Sequence, residues 1–310
     1  MSRLPAVRLL ITLGLALPLA ACGGSPEKLA ASMQRALDAG DQDAALALAR
    51  LDGAPAQLHF FYLDRVNDCA EAETTCTVSL EPLDETFTEQ ARAMAERGLE
   101  VMAAPEGLVV VESKSKDSSG RMRMPYAKVD GDYRIVSQRY TAAKLDELRA
   151  KGNADLLQEM LDQGIYDRST GERRTDWKDE ATELPAGGGE VGAAYRRKVE
   201  ALAAAAAAVD PDAAVASGDG LAAMFLGPKD FAGKEVPMDA RKRKLRSQSA
   251  RWLHEIEIEG GWQKGDEAIL MFTGRNGIGW VERGAILLVR GEGEADWGKG
   301  GAMTVEYPLN

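Results

Sequence analysis

Twice along this chain, apolar residues at helical spacing give way to stretches of two-residue alternation, and that order constrains the fold more than any motif does. Ser25-Pro26-Glu27 is a helix start: a capping serine, a proline at the first helical position and an acid in the first turn. Leu29, Met33, Ala36 and Leu37 then recur at helical spacing, and Gly40 ends the element. Asp41 caps a second helix carrying Ala45, Leu46 and Ala49. Residues 58–66, apolar and aromatic, read as a buried strand. Cys76, Val78 and Leu80 alternate with Thr77, Ser79 and Glu81 as a half-buried one. A helix is expected over about 85–102, then strands at 108–111, 122–126 and 133–140, with Asp130-Gly131 as a two-residue turn. A helical pattern over 141–163 is interrupted near Gly152-Asn153.

The second half repeats the order. A helix begins near Val191 and runs through the alanines at 203–208, and Asp210-Pro211-Asp212 starts a shorter one. Trp252, His254, Ile256 and Ile258 then alternate with polar neighbours, and strand patterns follow at 268–273, 278–290 and 302–307. Helices followed by strands, without regular βαβ alternation, argue for an α+β fold. The expected organisation is two domains, 27–166 and 191–310, each with N-terminal helices packed on a curved antiparallel sheet. A polar linker over 167–190, containing Gly187-Gly188-Gly189, would join them and be open to trypsin. In element order alone the layout is similar to tandem curved-sheet domains of the NTF2-like type.

The N-terminus has its own logic. Arg3 and Arg8 precede an apolar run over 9–21 that is too short for the roughly 20 residues of a membrane span. That reads as a secretory signal. It ends in Leu19-Ala20-Ala21-Cys22, which resembles the lipobox of bacterial lipoproteins. The resemblance implies removal of residues 1–21, lipidation of Cys22 and a short tether over 22–26. Two or more acyl chains hold a protein stably at a membrane where one does not. Gly23, in place of an aspartate, favours by the same analogy an outer-membrane address facing the periplasm.

Cys69 and Cys76 remain, an even pair in an oxidising compartment, so a disulfide closing a loop between two strands is expected. A metal site and free thiols are the other readings, and with only His59 and His254 in the chain a histidine-rich metal site is excluded. The net charge of −11 argues against nucleic acid as a partner. No nucleophile elbow, zinc-protease motif or phosphate-binding loop is present, and no cofactor is implied. The Ser-x-x-Lys matches at 25–28 and 113–116 lack companion motifs.

Two features stand out. Arg241, Lys242, Arg243, Lys244 and Arg246 form a basic block in an acidic chain. They read either as a solvated face neutralised by nearby acids or as a contact for anionic headgroups or an acidic partner. All five tryptophans follow residue 176, and Trp262, Trp280 and Trp297 each adjoin a glycine. They read either as packing or as a platform for a glycan or an envelope protein. The sequence therefore leads to a membrane-anchored envelope lipoprotein, non-enzymatic, binding through its second domain. An envelope enzyme with a carboxylate pocket and a purely structural lipoprotein are the alternatives.

Overall fold

The computed structural model describes residues 24–309 except 72, 117, 167–170, 175 and 292–295. The signal segment and Cys22 lie outside the described residues.

In the first half, Ser25 caps α1 (Pro26–Ala39) by accepting the Lys28 N–H, and Gly40 closes it in the left-handed region at φ 62°. Asp41 caps α2 (Gln42–Ala47). Then come β1 (Ala49–Arg50), α3 (Ala56–Cys69), β2 (Thr75–Glu81), α4 (Glu85–Glu96) and β3 (Leu99–Val101). β4 (Gly107–Lys114), β5 (Ser119–Val129), β6 (Asp132–Val136) and β7 (Gln138–Tyr140) follow. Asp130 and Gly131, both at positive φ, make the expected two-residue turn. The sheet runs β1-β6-β5-β4-β2, antiparallel except for the β1–β6 pair, while β3 pairs separately with β7. Leu29, Met33 and Leu37 of α1 pack with Tyr62 and Val66 of α3 on Val109, Val111 and Met124 of this sheet.

Two expectations are corrected here. Residues 58–66 are helical, not a strand. A short apolar run is ambiguous in period, and Tyr62, Val66 and Cys69 recur at the helical spacing that faces the core. The helix expected over 85–102 stops at Glu96. Gly98, at φ 76°, turns the chain into β3, and no residue of α4 is buried.

In the second half, α5 (Ala142–Ala150), α6 (Asn153–Gln163), β8 (Ile165–Tyr166), β9 (Arg173–Arg174) and β10 (Thr182–Leu184) precede α7 (Gly189–Ala208). Then follow α8 (Pro211–Ala216), α9 (Gly220–Leu226), α10 (Met238–Ser249), β11 (Leu253–Lys264), β12 (Glu267–Asn276), β13 (Val281–Arg290) and β14 (Trp297–Tyr307). The second sheet runs β10-β11-β12-β13-β14, a meander over β11–β14 with β10 added at its edge, bent by bulges in β11 and in the β13–β14 pairing. The bulge between Leu253 and Glu255 shifts the phase of β11, so Leu253 joins Ile256 and Ile258, while Trp252 packs with Leu202 and Leu245. The protein is α+β with two antiparallel sheet regions.

The contacts draw the boundary elsewhere than the composition does. α7 covers one face of the second sheet through Val191, Tyr195 and Val199. α5 and α6 cover the other: Leu157 and Met160 meet Ile269 and Ala285, and Leu148 and Leu156 meet Val305 and Tyr307. Residues 141–163 thus belong with the second sheet. Within 167–190, β10 pairs with β11 as an edge strand and Trp177 is 1 % exposed, so this stretch is tied to the second sheet at those points, while most of its other described residues are exposed. Among the described residues no helix is long and apolar enough to cross a membrane.

Candidate functional site

The two halves meet where α3 lies against α10. Asn67, near the end of α3, donates to Ser247 Oγ at 3.0 Å, and buried Gln42 donates to the Arg243 carbonyl at 3.0 Å. The basic block sits on this junction. Arg241 is 4 % exposed, donating to the Leu226 carbonyl and pairing with Asp212. Lys244 faces Glu71 at 3.8 Å, and Arg246 pairs with Asp43 at 3.1 Å. Arg243 is half-buried, and Lys242 alone of the five is exposed without a recorded ion pair among the described residues. Most of this charge is therefore spent on the chain's own acids.

The tryptophans do not form one surface either. Trp280 is buried beside Tyr140, with ring centroids 6.2 Å apart, and Trp297 is buried in the core under α7. Trp262 is half-buried on the opposite face, with Lys178 4.4 Å above its ring. Cys69 and Cys76 are disulfide-bonded, and the bond joins the end of α3 to the start of β2 rather than two strands.

What the junction does build is a cleft of about 310 Å³, walled by Gln57, Tyr140, Arg251, Glu282, Thr304 and Glu306. The register explains its acids. Glu282 on β13 stands opposite Glu306 on β14, so both project from the same face of the sheet. Opposed residues on antiparallel strands have Cβ atoms roughly 5 Å apart. Glu306 accepts from the Ala56 N–H at 3.0 Å and from the Asn276 amide at 2.8 Å. Burial, then the charge of Glu282, pushes the Glu306 carboxyl up to about 7 against those two hydrogen bonds. Burial likewise raises Glu282, opposed by Lys299 and Thr304. Tyr140 is pushed up to about 12 by burial and by Glu306.

Arg251 also lines the cleft. Its guanidinium lies 3.9 Å over the Phe60 ring and donates to Gln57 Oε1 at 3.0 Å and Gln248 Oε1 at 2.8 Å. Arg251 and Glu282 also line a smaller recess of about 70 Å³ beside Tyr195, Asp219 and Lys299.

Sequence reasoning passed over these residues for a physical reason. Along β14, Met303, Val305 and Tyr307 are the apolar set, which puts Glu306 on the face that alternation assigns to solvent. That face is covered at this end by the other half of the chain. No local pattern signals such a contact.

No protein-family model matches the chain, and no curated protein matches it. A solved structure described as a cystatin-like protein from Ruminococcus gnavus ATCC 29149 is similar at 12 % identity, covering 90 % of this chain and 92 % of that one. Its TM-score is 0.26, too low to carry an argument about fold or function.

Proposed function

We propose that the mature chain is a lipid-anchored envelope protein, non-enzymatic, that binds a ligand in the cleft between its two halves. The anchor reading rests on Leu19-Ala20-Ala21-Cys22. The folded body starts with Ser25 capping α1, only a few residues beyond Cys22. At about 3.5 Å per extended residue, it would sit within roughly 10 Å of the bilayer surface.

The binding reading is carried by the cleft, a concave, polar, mixed-charge site at a junction between packed units, where ligand sites concentrate. Four of its polar lining residues, Arg251, Glu282, Thr304 and Glu306, come from the second half, in keeping with binding centred there. Two experiments test the reading. Cys22→Ser should move the protein from the membrane to the soluble fraction, and a variant still wholly membrane-bound removes the anchor. Thr304→Trp, which fills the cleft from an exposed position, should abolish binding to isolated envelope material while leaving the melting temperature unchanged.

The paired carboxylates favour a second reading, an enzyme using Glu282 and Glu306 as acid and base. Against it, both oxygens of Glu306 already accept hydrogen bonds from the protein. That leaves Glu282 as the carboxylate of the pair open to chemistry, and binding remains the better account.

A further inference from the structure

Three ionisable side chains, Arg251, Glu282 and Glu306, face this cleft, and among the described residues none has an opposite charge within ion-pair distance. Asp64 and Lys299 act on Arg251 and Glu282 only from beyond contact. Half-buried charges usually find partners, because desolvation without compensation is costly. Here Arg251 is held by neutral amide oxygens alone, and its Nε is buried without an acceptor. A guanidinium carries five N–H donors, so some remain for a ligand. Stacking on Phe60 fixes its plane in advance. On the second sheet, Glu282 and Glu306 stand side by side, and among the described residues no cation is in ion-pair contact with either.

The complement of this arrangement carries charge of both signs. We propose that the cleft takes a small zwitterion of about dipeptide size, its carboxylate on Arg251 and its ammonium on the Glu282–Glu306 pair; this rests on the reading of the cleft as the ligand site. A planar carboxylate suits the guanidinium fork, whereas a doubly charged phosphate would be repelled by two neighbouring carboxylates. A bare divalent cation is disfavoured, since calcium takes six to eight oxygen ligands and among the described residues no three His, Cys, Asp or Glu side chains converge.

The test uses the full mature chain in detergent, ligand-observed NMR, and three probes: L-alanyl-L-alanine, its N-acetyl form and its C-terminal amide. The free dipeptide should bind, and each blocked form should bind about tenfold or more weakly, the loss expected for one charge-assisted contact. Arg251→Gln should erase the preference for a free carboxylate and Glu282→Gln the preference for a free amine, each in a protein whose circular dichroism spectrum shows the wild-type fold. Equal binding of blocked and free forms overturns the proposal, as does an unchanged preference in Arg251→Gln. If the dipeptide does not bind at millimolar concentration while Thr304→Trp still abolishes envelope binding, the ligand class is wrong and the cleft stands. If Thr304→Trp also has no effect, the cleft reading falls with it.

Discussion

Glu306 Oε1 accepts the backbone N–H of Ala56 at 3.0 Å, although the two residues are 250 positions apart. α3 begins after Pro55, which supplies no side-chain cap, so the last strand of the chain caps a helix of the first half. A carboxylate at a helix N-terminus is favoured by the unpaired N–H groups there, yet burial and Glu282 push the carboxyl up to about 7 from its ordinary 4.5. Between those values the folded chain holds a proton that the unfolded chain has released. The contribution is therefore fully present below the lower value and lost as pH rises through the upper one. The melting temperature should fall between about pH 5 and pH 8. Asp68, pushed up to about 6 by burial and by Asp64, adds to the same trend. The informative quantity is thus the difference between wild type and Glu306→Gln. The variant should show a clearly flatter profile, and an identical slope would place the titrating group elsewhere.

The Cys69–Cys76 bond closes a small loop between α3 and β2. Chain entropy assigns such a loop about 2.5 kcal/mol. Replacing both cysteines by serine should lower stability in urea by about that amount. Asn67, two residues before Cys69, bonds to α10, so the loss should be felt at the junction as well as locally. Urea curves that superimpose for the two proteins would show that the bond adds no net stability.

Legibility along the chain follows the range of the interactions. Ser25, Asp41 and Gly40 end or start helices through contacts within a few residues, and all were readable. The Asp130-Gly131 turn was readable for the same reason. Residues 58–66 read as a strand because a nine-residue stretch rich in apolar and aromatic residues fits either period, and the distant partners of Tyr62 and Val66 decide between them. The side of the chain on which α5 and α6 pack is likewise a long-range matter: Leu148 and Leu156 choose Val305 and Tyr307. The cleft is the extreme case. Glu306, Glu282, Arg251 and Gln57 come together only when both halves are folded, and each is locally an ordinary surface residue.

The basic block separates into buried and exposed members, which predicts opposite outcomes for neighbours. Arg241→Ala removes a side chain that is 4 % exposed and leaves the Leu226 carbonyl without its donor. It should cost about 2 kcal/mol, most of it packing and that hydrogen bond, because Asp212 is largely exposed and keeps its water. Lys242→Gln should change stability by less than about 0.5 kcal/mol. Equal effects at the two positions would mean that Arg241 is not held as described.

Trp177 offers the sharpest test of how residues 167–190 behave. Polar composition and three glycines predict an open stretch that trypsin cuts first. The contacts predict the reverse. Trp177 is 1 % exposed, packed with Leu157, Met160 and Ile165 against Ile269 and Ala285. Its indole N–H donates to Glu267 Oε2 at 2.7 Å, and the same carboxylate pairs with Arg174. Lys178 lies over Trp262. Of the expected tryptic positions Arg173, Arg174 and Lys178, the last two are therefore tied to the second sheet through Glu267 or an indole face. Removing a buried tryptophan costs about 3–5 kcal/mol, so Trp177→Ala should release this stretch. Trypsin should then cut first after Arg174 and Lys178 in the variant and only slowly there in the wild type. Trp177→Phe keeps most of the apolar contact and loses only the N–H donor, so its digestion should stay close to wild type. If the wild type is cut at these two positions as fast as Trp177→Ala, the packing of Trp177 is not what protects them, and the stretch joins the two halves as a linker after all.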